Sequence, residues 1–315
     1  MENSGLELMQ HLINGLTLGG IYALIALGYT MVYGILKFIN FAHGEIMMMG
    51  TYVGLLIFNL VRGIPGIDAG ALGGAGGTFI WQFFLALFCA MAFSAFLGMF
   101  IERVAYRPLR KAERLAPLLS AIGVSIILVN FAGLVFGTKS LKLDYPFDNG
   151  PIDVSGISVT PHQILILGIT IVLMVGLKLF IDKTKLGKAM RATSLDIDTA
   201  RLMGITADHV ISLTFAIGSA LGAVAGVLIA MDYKVYPTLG TLAGLKAFIA
   251  AVVGGIGSIS GAMIGGLLLG VLETFGVALF HIPVGLKDTI AFGILILILL
   301  VKPSGIMGKT IREKV

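Results

Sequence analysis

Within the stretch Lys37–Gly50, KFINFAHGEIMMMG, an amide (Asn40), an imidazole (His43) and a carboxylate (Glu45) fall close together at the start of an apolar run. Together they supply hydrogen-bond donors, acceptors and one titratable charge, which either cap a broken helix or line a polar path. A histidine and a carboxylate two residues apart are too common a pair to specify a metal site. Glu273, in GVLETFG, is the deepest ionisable residue of the long apolar runs. A charge at the centre of a bilayer costs on the order of 2.5–3.5 kcal/mol on insertion scales, so such a residue is a functional candidate by default. Lys287 and Asp288 stand together at the start of the last apolar run, where they can pair. A further candidate is made of backbone: Lys246–Gly266, KAFIAAVVGGIGSISGAMIGG, carries Gly255 and Gly257 in a glycine run able to break a helix or approach a neighbour closely.

The remaining polar chemistry is concentrated in Asp182–His209, DKTKLGKAMRATSLDIDTARLMGITADH, with five basic and four acidic residues between two apolar runs. It reads as one or two short helices. Asp196, with Thr193 or Ser194, sits where a helix N-cap belongs, and Gly204 sits where one would end. A short helix at a membrane surface is a lever that another protein can push.

The composition dictates what must position these groups. Of 315 residues, 57% are hydrophobic and 12% charged, and the mean hydropathy is +0.99. Soluble domains carry about 25% charged residues, so the chain belongs in a membrane. Backbone facing lipid must satisfy its own hydrogen bonds, which makes the apolar runs helices. Nine runs lie between Leu8 and Val301. The seventh, Ala247–Gly255, is too short to span; extended back to Thr241, with Lys246 snorkelling at its end, it becomes a marginal span or a re-entrant half-helix. The expected fold is all-α and polytopic, with eight or nine helices in one transmembrane domain over 1–315.

Fourteen of the 22 basic residues lie in Glu102–Arg114, Asp182–His209 and the tail after Val301. Lys and Arg are retained on the cytoplasmic side, so these three segments read as cytoplasmic. The alternate segments, Gly63–Gly77 and Gly137–Thr160, read as external, the second with Asp144, Asp148 and Asp153 offsetting Lys139 and Lys142. The amino terminus is then external and the carboxyl terminus cytoplasmic. The first residues lack the basic n-region of a signal peptide, so the first helix is expected to be retained. The net charge of +5 reflects these topology-setting loops and does not call for nucleic acid.

Each broken segment follows a helix rich in small residues. Gly20 to Gly44 and Gly222 to Gly244 are similarly spaced, which hints at duplicated, inverted halves over about 8–136 and 161–301. Interrupted segments at matching places mark a substrate path in duplicated membrane proteins, whereas plain glycine packing explains them equally well.

Several chemistries lack support. The five histidines, His11, His43, His162, His209 and His281, are dispersed, and the single cysteine, Cys89, can form neither an internal disulfide nor a metal cluster. PSGIMGKT, Pro303–Thr310, is a poor phosphate loop, with proline in place of the first glycine and a membrane helix in place of a strand before it. No cofactor is expected on this chain.

The stretches NGLTLGGIYALIALGYTMVYGILKFINFAHGEIMMMGTYV, IERVAYRPLR, LLSAIGVSIILVN, LTFAIGSALGAVAGVL and KAFIAAVVGGIGSISGAMIGGLLLG resemble the permeases of high-affinity branched-chain amino-acid ABC importers, the first of their two permease subunits in particular. The resemblance runs from about Asn14 to Gly308. Asp198, Thr199, Ala200 and Gly204 match, loosely, the coupling-loop motif of such permeases. The resemblance implies a second homologous permease, two ATP-binding subunits that carry ATP and Mg, an extracytoplasmic amino-acid-binding protein, and a place in the bacterial inner membrane. Coupling would then fall to Asp196, Asp198, Ala200, Arg201 and Gly204, and the path to Asn40, His43, Glu45, Gly255, Gly257 and Glu273. Urea and short-chain amide permeases resemble the chain too, and an ion-coupled carrier of amino acids stays open as a different class.

Overall fold

The computed structural model describes residues 2–62, 75–110, 112–113, 115–143, 152–154, 157–280 and 282–308. Most of the expected external segment 63–77 lies outside them. So do Lys111, Arg114, Asp144, Asp148, His281, Lys309, Thr310, Arg312 and Lys314, and the side chain of Asp153. Eleven α-helices run through the described residues, and seven helical stretches among them are long and apolar enough to cross a membrane. The protein is a multi-pass α-helical membrane protein, and among the described residues it carries one small antiparallel ribbon, β1 (Ile152–Val154) against β2 (Ile157–Val159).

The chain forms two compact units. The first comprises Met1–Lys37, Pro151–Val210 and Leu245–Val315; the second comprises Phe38–Gly150 and Ile211–Gly244. Neither coincides with the halves 8–136 and 161–301, because each takes helices from both.

In the first unit, α1 (Glu2–Leu36) is packed along α10 (Ile259–Phe280). Both helices carry glycines four apart, Gly15 and Gly19 on α1, Gly266 and Gly270 on α10. A Cβ at Gly15 would meet the backbone of Val271, and one at Gly266 would overlap the backbone of Ala23. In lipid, where no hydrophobic drive brings helices together, such small-residue faces hold them by close van der Waals contact. α5 (Pro161–Lys183) begins with proline at its first position, and Gln163 Oε1 accepts the Thr160 N–H at 3.1 Å. Gln163 Nε2 also donates to Asn14 Oδ1 of α1 at 2.8 Å. α6 (Lys185–Leu195) and α7 (Ile197–Leu202) follow, and α11 (Lys287–Val301) closes the helical part.

α9 (Leu239–Gly254) is 16 residues long, about 24 Å at 1.5 Å per residue, less than the roughly 30 Å of a bilayer core. Its last carbonyls are satisfied by a distant part of the chain: Ile306 N–H donates to Val253 O and Met307 N–H to Gly254 O, both at 2.9 Å. Gly255 and Gly257, at φ +106° and +91°, make the turn into α10, and Gly255 lies against Gly308 so closely that a Cβ there would overlap it. The backbone N–H groups of Ile306 and Met307 therefore hold helix carbonyls, the opposite of an anion cradle.

The second unit contains α2 (His43–Arg62), α3 (Ala75–Ile101), a π-helical turn at Glu102–Tyr106, a 3₁₀ turn at Arg107–Leu109, and α4 (Leu115–Phe136). Most of α8 (Ala207–Asp232) and the first turn of α9 belong to it. α1 and α8 are largely buried, whereas α4 exposes Leu119, Ile126, Ile127 and Leu134, an apolar exterior suited to lipid. Gly270→Val is expected to lower stability in detergent by about 1–3 kcal/mol through overpacking against Gly19, whereas Gly168→Ala, with open space at its Cβ, is nearly silent. Thermal unfolding of the two variants measures the difference.

Candidate functional site

α1 ends at Leu36, and Lys37 caps it in a left-handed conformation, φ +57°, donating its N–H to Tyr33 O at 2.9 Å and its ammonium to Gly34 O at 2.7 Å. The chain then runs irregularly to α2. Irregular backbone at this depth is tolerated where protein encloses it, and Asn40 organises it here. The Asn40 carbonyl accepts His43 N–H at 3.1 Å, and its Oδ1 accepts Ala42 N–H at 3.2 Å and the Tyr106 hydroxyl at 2.7 Å. Asn40 Nδ2 is buried with no hydrogen-bond partner.

The start of α2 meets the start of α9. A Cβ on Gly44 would overlap Gly240 O, and a Cβ on Gly240 would overlap Gly44 O, so the close approach of the two helix starts depends on glycine at both positions. The positive ends of two helix dipoles make this place favourable to negative charge. Glu45, in the first turn of α2 and 1% exposed, accepts the Thr241 hydroxyl at 2.9 Å through Oε1, while its Oε2 has no hydrogen-bond partner. The Ser125 hydroxyl of α4 also faces this carboxylate. His43, 2% exposed, lies beside Gly222 of α8, where a Cβ would come within 3.5 Å of the ring. Gly222 is fifteen residues into α8, about 22 Å along the helix, so the cluster sits well away from either end of the span.

Glu273 belongs to the first unit and is engaged there. Lys246 Nζ of α9 donates to its Oε1 at 2.7 Å, and the Tyr22 hydroxyl of α1 donates to its Oε2 at 3.1 Å. Lys246 Nζ also lies 3.2 Å from the Tyr22 hydroxyl and 2.6 Å from Asp288 Oδ1, the latter an ion-pair contact outside hydrogen-bond geometry. Four groups from α1, α9, α10 and α11 thus share one buried network. Lys246 is 7% exposed and does not snorkel as its place in the sequence had implied, because Glu273 offers it a charge inside the protein. Asp288 turns to Lys246; successive helix positions such as 287 and 288 face different directions. Gly255 and Gly257 also lie in the first unit, so the expected path residues divide into Asn40, His43 and Glu45 on one side and Gly255, Gly257 and Glu273 on the other.

The charged island folds as α6, α7 and their connections. Asp196 caps α7, accepting Thr199 N–H at 2.8 Å, and that bond holds its carboxyl below the usual aspartate range. The cap is therefore fully charged above the ordinary carboxylate pKa and is lost only as pH falls through the lowered value. Thr193 and Ser194 instead turn back onto α6 carbonyls. α7 ends in a Schellman motif: Gly204 N–H donates to Arg201 O and Ile205 N–H to Ala200 O, both at 3.0 Å, with Gly204 at φ +83°. Arg201 pairs with Asp198 at 3.2 Å and Asp208 at 3.4 Å, and Ala200 is buried beneath. Leu195, Leu202 and Met203, at 79–88% exposure, project from this charged surface. They are unremarked by sequence reasoning, because an apolar residue in an apolar chain carries no signal until its neighbours are known.

Tyr106, the pairing of Lys246 and the inward face of α8 carry little signal in the sequence. On α8, Ser212, Phe215, Ser219, Gly222 and Gly226 recur at steps of 3, 4, 3 and 4, one face of a helix. That pattern was the available signal, but small residues at helical spacing in an apolar run read equally as general packing.

Residues 11–299 match the model of a family described as branched-chain amino acid transport system, permease component. The chain is similar to the high-affinity branched-chain amino acid transport system permease protein BraD of Pseudomonas aeruginosa, 49% identical over 314 residues and 98% of each chain. It is also similar to the permease protein LivH of Escherichia coli, carrying the same system description, 46% identical over 320 residues and the whole of both chains.

Burying a carboxylate with an oxygen unmatched opposes folding. Glu45→Gln is accordingly expected to melt at the same temperature as the unmodified protein or higher at neutral pH, and Thr241→Val lower, by the equivalent of about 1–3 kcal/mol. A clear drop for Glu45→Gln would mean that the charge is already compensated.

Proposed function

The chain belongs to the branched-chain amino-acid transport permease family, and from that premise we propose that it is the translocation subunit of an ATP-driven importer for branched-chain amino acids. ATP and Mg are held by two separate ATP-binding subunits, a second homologous permease completes the pathway, and an extracytoplasmic binding protein delivers the substrate. The complex sits in the inner membrane, with the amino terminus outside and the carboxyl terminus in the cytoplasm.

The observation that carries this reading is the junction of α2 and α9, where two helix N-termini meet beside a buried carboxylate with one oxygen unengaged. A free amino acid is a zwitterion. Its carboxylate suits the N–H groups of the helix starts, and its ammonium suits Glu45 Oε2. Asn40 Nδ2 adds a further donor. The aliphatic side chain needs only apolar neighbours, which the Met47–Met49 turn of α2 offers. Both charged ends of the substrate are thereby met without a fixed cage, consistent with recognition resting mainly on the binding protein.

Coupling is assigned to α7 and its ends. Asp196 and Gly204 fix the two termini of that helix, Arg201 is held by Asp198 and Asp208, and Leu195, Leu202 and Met203 provide apolar grip for an ATP-binding subunit. The duplication belongs to this reading as well. Gly44 and Gly240 each open an interrupted helix, and α1 packs on α10 through small residues as α8 packs on α3, where Gly98 meets Ser219.

In liposomes, the complete complex is expected to import leucine only with ATP, the permease alone to be silent, and Glu45→Gln to slow import about tenfold or more, the worth of one charge-assisted hydrogen bond. Leucine accumulation by the permease alone on a proton or sodium gradient would make it a carrier instead. Gly204→Val strains a left-handed residue without any clash, at about 1–2 kcal/mol. Leucine uptake and stimulated ATP hydrolysis are expected to fall together in that variant, with membrane insertion unchanged, and intact coupled uptake would remove α7 from the coupling role.

A further inference from the structure

Glu102 stands at the end of α3 with 0% exposure, where the helix widens into the π-helical turn Glu102–Tyr106. Its two oxygens have different partners: Arg110 pairs with Oε1, and the Ser212 hydroxyl of α8 donates to Oε2 at 2.6 Å. At the other end of the same turn, Tyr106 is fully buried between Phe38, with ring centroids 5.4 Å apart, and Phe215 of α8, at 5.6 Å. Its hydroxyl reaches Asn40, which organises the start of α2. The π-turn therefore touches α8 twice, at Ser212 and Phe215, and touches the interrupted segment twice, at Phe38 and Asn40. All of these residues lie in one unit.

α8 is a single helix that begins at Ala207, three residues beyond Gly204. Whatever displaces α7 acts on the first turns of α8 through this short connection, and a helix moves as a rod over such a distance. Glu102 is drawn along with it, because losing the Ser212 hydroxyl would leave Oε2 of a fully buried carboxylate unsatisfied. A π-turn is also where a helix most readily changes register, since its extra residue can migrate.

We propose that the Glu102–Tyr106 turn is the transmission element of this permease, with Glu102 and Tyr106 as positioning residues that carry displacement of α8 to Asn40 and so open or close the start of α2. The inference rests on the importer reading above. It adds a route of defined contacts between the coupling segment and the polar cluster, with a two-state element, the π-turn, in the middle.

The test uses the complete complex in liposomes, measuring leucine imported and ATP hydrolysed in the same sample. Tyr106→Phe removes only the hydroxyl that holds Asn40, and Ser212→Ala only the hydroxyl that holds Glu102. Each is expected to leave ATP hydrolysis stimulated by loaded binding protein within about twofold of normal and to reduce leucine imported per ATP about fivefold or more. Ser212→Thr, which keeps the hydroxyl, restores the ratio. A merely structural role would lower both quantities together and leave their ratio unchanged, and an unchanged ratio in both variants overturns the inference while the importer reading stands. Failure of the unmodified complex to import leucine overturns that reading and this inference with it.

Discussion

In a bilayer every backbone N–H and C=O must find a partner within the protein, and the two interrupted segments of this chain are where that requirement is hardest to meet. α2 starts from the irregular segment that follows Leu36, and α9, at 16 residues, is shorter than a bilayer core is thick. The start of α2 is capped by Asn40, and the end of α9 is closed by the 306–307 backbone. Glycine is what makes such closure geometrically feasible, because Gly44 and Gly240 let two helix starts touch where any Cβ would intrude. The polar cluster exists because the helices are interrupted, and the interruptions are stable because neighbouring backbone comes close enough to enclose them.

The two buried acids Glu45 and Glu273 differ in how their charge is accommodated. Glu273 has a lysine, a tyrosine hydroxyl and the nearby Asp288–Lys246 pair around it, so both of its oxygens are engaged and the network binds four helices. Glu45 has the Thr241 hydroxyl on Oε1, the Ser125 hydroxyl facing it, and an Oε2 with no hydrogen-bond partner. Both are glutamates at 1% exposure, and they differ in how completely neighbouring side chains engage their oxygens.

Composition and local pattern made the spans, the two broken segments and the charged island legible, since hydropathy and the positions of lysine and arginine act over a single helix length. Asn40, His43 and Glu45 were visible because polar residues stand out against an apolar background. The pairing of Lys246 with Glu273 was hidden, because a lysine near the edge of an apolar run looks like a snorkelling end until a partner 27 residues away is placed beside it. Tyr106 was hidden by its loop, rich in arginine and read as topology. The face of α8 built from Ser212 to Gly226 shares its spacing with any small-residue seam, so its meaning resides wholly in what it touches. Gly204, by contrast, was readable from sequence as the end of a helix, and its positive φ gives the physical reason.

The carbonyls that close α9 set a schedule for biosynthesis. Val253 and Gly254 leave the ribosome more than fifty residues before Ile306 and Met307, an interval of about 3–10 s at ordinary synthesis rates. Throughout that interval the Val253 and Gly254 carbonyls lack the N–H groups that hold them in the finished protein. Completion of α9 is thus a late event in the assembly of this membrane protein, dependent on chain that has yet to be made when the helix itself first forms.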